Sequence, residues 1–337
     1  MKYKEGIDFV FATYAMRLPW MREYTKMLVK SIDKYTTNIP YKIYIVYNYV
    51  TDECAENKSS RYMSNGAFNK VLEKQGDGKS ERQALQELFG DNENVILVEG
   101  VNQSETVVIE DNGKFHQDSG LFPGKIDECP VRAPSKYHSE GLSIGAKVGT
   151  QKYVCYLDPD CVFVNNWTDE ILPILDEYFF VSNRWDPGTM FWDCKKPQPR
   201  KDVKLTESEL GRACPQFLIM RRSDCEENDL WVNIDYRDVG ANLTWFAQSN
   251  KLDFLCLKNT YWYSHWKTHK GVSFSDIEEH ILHPKHNVLK IKNEGYPHEE
   301  AFLPSGKCFW VHNLKHGARP KNQNDSWLDA VREQLEL

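Results

Sequence analysis

Lys152-Tyr153-Val154-Cys155-Tyr156-Leu157-Asp158-Pro159-Asp160-Cys161-Val162-Phe163-Val164-Asn165 is the stretch on which the reading of this chain turns. Residues 153–157 are a nearly unbroken apolar run of β-formers, the mark of a strand buried on both faces. Pro159 cannot donate to a sheet ladder, so pairing should stop there and the chain should turn out of the sheet. Asp158 and Asp160, two apart in an extended segment, point the same way. Hard oxygen ligands at the carboxyl end of a central strand suit a divalent cation that also holds phosphates. A polar loop capping the next helix is the plainer account of the same residues.

Working outward, residues 7–14 read as a first strand, and Leu18-Pro19-Trp20 opens a helix to about Tyr35 with Met21, Tyr24, Leu28 and Ile32 at helical spacing. Pro40 leads into a second strand, 41–49. A strand–helix–strand unit of this length implies a right-handed parallel crossover. The crevice beyond its strand ends, near Thr13, Tyr14 and Asn48, is then a candidate nucleotide site. No Gly-x-Gly-x-x-Gly or P-loop follows either strand, which disfavours a dehydrogenase or a P-loop kinase.

A short helix is expected at 67–74, and another at 80–89 with Ser80 as N-cap and Gly90 as its end. A third strand is expected at 94–98. Residues 100–134 carry little signal and fit a long active-site loop or an inserted hairpin. Residues 139–148 form a helix that delivers the chain to the central strand. Beyond it come an amphipathic helix at 167–178, a strand at 179–182, a buried strand at 216–220, a polar turn at 223–228, a helix at 241–249 and a strand at 254–258. The remainder shows weak periodicity, yet holds eight of the 10 histidines.

Composition narrows the function class. Hydrophobic content of 41% and aromatic content of 13% suffice for a large core in 337 residues. The 10 Trp, 17 Tyr and 16 Phe suit either that core or a carbohydrate- or base-stacking surface. A net charge of −7 without a basic stripe argues against nucleic acid as a partner. No run approaches the ~20 apolar residues of a membrane span, and Met1-Lys2-Tyr3-Lys4-Glu5-Gly6 lacks a secretory apolar region. Nine cysteines without a Cys-x-x-Cys pair read as reduced core thiols. A cytoplasmic protein is the expectation, and the oligomeric state is open.

Together, the strand–helix–strand start, Gly141-Leu142-Ser143-Ile144-Gly145 and Lys152-Tyr153-Val154-x-Tyr156-Leu157-Asp158-Pro159-Asp160 resemble the GT-A glycosyltransferases, nucleotide-sugar-dependent enzymes with a metal-binding Asp-x-Asp. The resemblance covers roughly residues 7–250. It implies an α/β fold, a GT-A-like (Rossmann-like) mixed sheet flanked by helices in a single large domain. The catalytic part is expected at 1–270, with 271–337 folding back on the active site. Asp238-Val239-Gly240 stands where this superfamily often places its acceptor-side acidic residue. Residues 310–319 resemble the C-terminal histidine loop that many members fold onto the metal and pyrophosphate. No Glu-Asp pair of the inverting kind and no His-x-x-Gly-x-Lys-Pro-Trp ending is present, so the stereochemical course stays open.

The resemblance implies transfer of a sugar from a nucleoside-diphosphate donor to a glycan or other hydroxyl acceptor. A divalent metal, Mn2+ or Mg2+, is held by Asp158 and Asp160 with His312, or else His316, as an imidazole ligand. Asp238 is the candidate base for the acceptor hydroxyl, with Asp235 second. Thr13, Tyr14, Asn48, His138 and Lys147 are candidates on the donor, and Lys315 and Arg319 are further cations for the leaving group. Trp185, Trp192, Trp262 and Trp266 are candidates for an acceptor platform. Zinc at His265 and His269 lacks a His-Glu-x-x-His, and His280, His283 and His286, spaced by three, are interrupted by Pro284. Two rivals remain: a sugar-nucleotide pyrophosphorylase, though residues 13–19 lack its glycine-rich loop, and a non-catalytic carbohydrate-binding or assembly protein on the same fold.

Overall fold

Lys4–Thr13 forms β1, the spine of the molecule. Its Ile7, Phe9 and Phe11 enter one apolar layer and Val10 and Ala12 the opposite one. Such two-sided burial is what a near-continuous apolar run requires. The computed structural model describes residues 3–16, 18–49, 76–102, 107–111, 114–118, 133–183, 213–232, 239–257, 259, 299–313 and 321–336.

After β1 come α1 (Pro19–Tyr35), β2 (Tyr41–Tyr49), α2 (Gly78–Phe89) and β3 (Val95–Asn102). A hairpin of β4 (Val107–Asp111) and β5 (Lys114–Asp118) precedes α3 (Ala133–Val148) and β6 (Gln151–Leu157). Then follow β7 (Cys161–Phe163), α4 (Thr168–Ile174), β8 (Phe180–Asn183), β9 (Phe217–Arg221) and α5 (Arg222–Glu227). The chain continues through α6 (Ala241–Ser249), β10 (Leu255–Leu257), β11 (Glu299–Phe302), β12 (Cys308–His312) and α7 (Lys321–Leu335).

Seven strands form one mixed sheet in the order β10-β8-β9-β6-β1-β2-β3. Only β9 runs against its neighbours. A second, antiparallel sheet of order β11-β12-β7 abuts it. The mixed sheet flanked by helices that the resemblance implies is thus present. One covering layer contains α1 and α7, with Tyr24, Leu28, Ile32, Trp327 and Val331 in the core. The other contains α3 and α6, with Leu142, Ala146, Leu243 and Ala247. Each large aliphatic side chain buried this way contributes roughly 1.5–3 kcal/mol.

β2 spans the expected residues, and β1, β3, β6, β8, β9 and β10 differ only at their ends. The poorly marked segment after β3 contains a hairpin. The α2 N-cap is Asp77, whose carboxylate accepts from Ser80 N at 2.6 Å, rather than Ser80 itself. The helix expected at 167–178 is cut to α4, and past Pro173 the chain goes on in tighter turns, with Leu175 N donating to Leu172 O and Asp176 N to Pro173 O. The polar turn expected at 223–228 is the helix α5, opened by a fully buried Arg222. Arg222 donates to Asp8 Oδ2 (2.7 Å), Gln151 O (2.8 Å) and Ala146 O (2.6 Å), joining β1, β6 and α3 under the sheet.

The six described cysteines are free and buried, as expected of core thiols. Among the described residues no helix is long and apolar enough to cross a membrane. The helix expected at 67–74 lies outside the described residues.

Candidate active site

The ladder between β1 and β6 ends with Phe11 opposite Leu157, so Tyr14 and the Asp158-Pro159-Asp160 segment leave the sheet side by side. Here the chain makes a turn rather than staying extended, and Cys161 Sγ closes it by donating to Asp158 O at 2.8 Å. Asp158 and Asp160 are nevertheless both buried, at 3% and 1% exposure. Two carboxylates held out of water need a cation or several donors beside them.

That partner arrives from the far end of the chain. β12 pairs with β7 so that His312 lies opposite Cys161, and Asn313 N donates to Asp160 O at 3.0 Å. The pairing sets His312 Nε2 3.3 Å from Asp160 Oδ1 and 3.8 Å from Asp158 Oδ2. β11 pairs with β12 on its other side, with Glu299 opposite His312. Glu299 Oε2 comes within 3.3 Å of His312 Nδ1. Burial disfavours a charged ring, but Asp160 and then Glu299 outweigh it and push His312 up to about 10. A proton on His312 thus supplies the positive charge that the carboxylates call for.

α3 brings His138, whose Nε2 is 3.2 Å from Asp158 Oδ1. Its glycines let the helix lie directly on the sheet. A Cβ on Gly145 would stand 2.5 Å from Val46 Cγ2 and 2.7 Å from Val10 Cγ1. One on Gly141 would stand 3.2 Å from Ala12 Cβ. Lys147 corrects an expectation. At 1.5 Å per residue it lies about 13 Å farther along α3 than His138, and its Nζ sits 5.9 Å from the Trp231 ring. The same helix cannot present both side chains to the aspartates.

At the end of β1, Tyr14 is pushed well above its ordinary value, by burial first and then by Asp160 and Asp158. Its phenol therefore keeps its proton beside the carboxylates. Thr13 is buried, with Oγ1 3.5 Å from Val46 O. Asn48 spends its amide on architecture: Nδ2 donates to Tyr137 O at 3.2 Å and Oδ1 accepts from Val101 N at 2.9 Å. It ties β2, β3 and α3 together.

Beyond Tyr14 the chain passes through a left-handed Ala15 (φ 53). Buried Glu81 of α2 then accepts from Met16 N at 2.8 Å and Gly76 N at 2.6 Å. Glu81 and Glu299 are the residues that the sequence reading missed. For Glu299 a hairpin signal existed: two short apolar-rich runs separated by Pro304-Ser305-Gly306, with Gly306 at φ 84.

Asp235, Asp238, Lys315, His316 and Arg319 lie outside the described residues, as do Trp185, Trp192, Trp262 and Trp266. The histidines at 265, 269, 280, 283 and 286 do so too. Gly240, next to this acidic stretch, opens α6 in the left-handed conformation (φ 81) that suits glycine.

Among the described residues, Asp158, Asp160 and His312 form one group able to hold a metal ion, with one ligand atom of each within 4.8 Å of the others. Ligands around a small divalent cation at about 2.1 Å lie about 3–4 Å apart, so the observed spacings fit. Two carboxylates with one imidazole suit Mg2+ or Mn2+ better than a thiophilic ion.

No family model matches the chain, and no curated protein does. Among solved structures it is similar to S. aureus TarS 1-349, at 14% identity over 71% of this chain and 53% of that one, with a TM-score of 0.36. The chain thus spans about half the length of that structure. It is also similar to mouse xyloside xylosyltransferase 1 in its apo form, at 9% identity over 82% and 93% and a TM-score of 0.40. Similarity to the galactosyltransferase LgtC in complex with donor and acceptor sugar analogs gives 10% identity, 82% and 84% coverage and a TM-score of 0.37. Overlaps this loose fix neither family nor activity, so the functional reading rests on the site's own geometry.

Proposed function

We propose that this chain is a divalent-metal-dependent glycosyltransferase that moves a sugar from a nucleoside-diphosphate donor to a glycan or other hydroxyl acceptor. The observation that carries the reading is the buried cluster of Asp158, Asp160 and His312, set at the carboxyl ends of parallel strands, where open α/β sheets bind nucleotides. Asp158 and Asp160 hold the cation, with His312 Nε2 as the third ligand. When bound, Mn2+ or Mg2+ supplies the positive charge that stabilises a departing diphosphate.

The chain's own residues have distinct tasks. Tyr14, protonated at neutral pH, is a hydrogen-bond donor beside the diphosphate position. His138, held against Asp158 and partly open to solvent, orients that carboxylate and offers an imidazole to the donor. Glu81 fixes the loop after β1 that borders the nucleoside. The acceptor-side base is assigned to Asp238, with Asp235 second, on sequence position alone. Residues 271–337 are assigned the part of a segment that completes the site from the C-terminal side.

Calorimetric titration of UDP and GDP with and without Mn2+, against wild type and Asp160→Ala, tests the proposal. Metal-dependent binding of at least one nucleotide, weakened about 100-fold or more in the variant, is expected. If no nucleotide binds under any metal condition, the donor site does not exist and a carbohydrate-binding module becomes the better reading.

A further inference from the structure

Behind His312, away from the aspartates, lies a buried polar network whose donors and acceptors can be assigned without ambiguity. Phe217 N–H can only donate, and it donates to Asn183 Oδ1 at 3.2 Å. Asn183 must therefore turn its Nδ2 the other way, where it donates to Glu299 Oε1 (3.1 Å) and Gln216 Oε1 (3.3 Å). Asn259 Nδ2 donates to the same Glu299 Oε1 at 2.6 Å, and an isolated bridge to Ala301 holds Asn259 beside β11. Two amide donors thus claim one oxygen of a fully buried carboxylate. The other oxygen, Oε2, faces His312 Nδ1 at 3.3 Å. Trp310 stacks on the imidazole at 5.6 Å between centroids and 23° between planes, restricting its rotation.

We propose that Glu299 is a positioning residue that sets the tautomer of His312. It keeps a proton on Nδ1, so that Nε2, the nitrogen facing Asp158 and Asp160, is the one that gives up its proton and turns its lone pair to a cation. The inference rests on the metal-site reading above and adds the reason why this histidine is competent as a ligand. Imidazole ligands generally need such a partner on the second nitrogen, and removing it typically weakens metal binding 10- to 100-fold.

The network makes an unusual demand on the isosteric variant. In Glu299→Gln the side-chain oxygen must take the place of Oε1, because Asn183 and Asn259 both donate there. The new NH2 group then confronts His312 Nδ1, which can only accept. The ring proton moves to Nε2, the nitrogen that should bind the cation. In Glu299→Ala the ring is free to choose either tautomer. Glu299→Gln should therefore weaken Mn2+ binding about 100-fold and Glu299→Ala only about tenfold. A purely structural carboxylate predicts the reverse, since glutamine keeps the volume and one hydrogen bond.

Calorimetry of Mn2+ with wild type and both variants reads the order of affinities. Heteronuclear NMR of 15N-histidine-labelled protein loaded with Cd2+, a diamagnetic probe ion, reads which ring nitrogen carries the proton. The expected result is Nδ1–H with Nε2 on the metal in wild type, and a proton on Nε2 in Glu299→Gln. Glutamine binding as well as wild type, or better than alanine, overturns the inference and leaves the metal site standing. A wild-type spectrum with the proton on Nε2 overturns it even if neither variant folds. If wild type takes up no Mn2+, the metal reading falls and this inference falls with it.

Discussion

Adding one methyl group at Gly145 tests the link between the glycine motif of α3 and the site. On an exposed helix, glycine to alanine is favourable by about 1 kcal/mol. Here the new Cβ would stand 2.5 Å from Val46 Cγ2 and 2.7 Å from Val10 Cγ1, in a layer where Val10, Val46, Leu142 and Ala146 are all buried. Neither valine has a free rotamer to retreat to, because both sit on central strands and are stiff at χ1. Overpacking of this kind costs about 3 kcal/mol at the upper end of its usual range. Subtracting the gain in helix propensity leaves a net loss of about 2 kcal/mol. For a chain of 337 residues the midpoint should fall by about 3 °C.

The helix can escape the clash only by lifting off the sheet, and that carries His138 away from Asp158. Nucleotide affinity should therefore fall along with the midpoint. Gly141→Ala should cost less, since its nearest neighbours stand at 3.1–3.4 Å and need give way by only a few tenths of an ångström. Thermal unfolding followed by circular dichroism, with nucleotide calorimetry on the same samples, provides the measurement. A higher midpoint for Gly145→Ala would refute the close approach of α3 and with it the account of the glycines.

Two predictions concern charge. Burial opposes a proton on His312, but Asp160 and Glu299 raise the ring from its ordinary 6.5 to about 10, so the metal-free protein is protonated there at pH 7. A cation must expel that proton. Mn2+ affinity should rise with pH, about tenfold per unit between pH 6 and 9. Calorimetry in two buffers of different ionisation enthalpy should count one proton released, and a pH-independent affinity contradicts this. At the opposite end of the strands, Arg222→Met leaves Asp8 buried without its cation and should cost about 3–5 kcal/mol in urea unfolding. Asp8→Leu added to it should recover much of that loss, and a single variant within 1 kcal/mol of wild type would sink the idea.

What the sequence by itself determined is local. An apolar run ending in Asp158-Pro159-Asp160 names a buried strand and its exit, because proline cannot extend a ladder and carboxylates do not stay in a core unaided. The crossover from β1 through α1 to β2 follows from helical spacing and a short connection. Gly141 and Gly145 enter from sequence only as part of a resemblance, and their close approach to β1 and β2 is visible only in the fold. Asp77, three residues before Ser80, caps equally well by composition, and only the backbone decides between them.

Whatever depends on two distant segments meeting was settled by tertiary structure. His312 is one of 10 histidines. Only a resemblance singles it out, and nothing local to it distinguishes a ligand from a surface residue. The ladder of β7 with β12 sets it beside Asp160, and the ladder of β11 with β12 sets Glu299 behind it. Arg222 lies beyond the strand expected at 216–220, and only the fold brings it to its partner Asp8, near the start of the chain. Lys147 belongs to the same helix as His138, yet the length of that helix separates them. Secondary structure is written in neighbours and periodicity, whereas a site is written in register between strands, which no single segment carries.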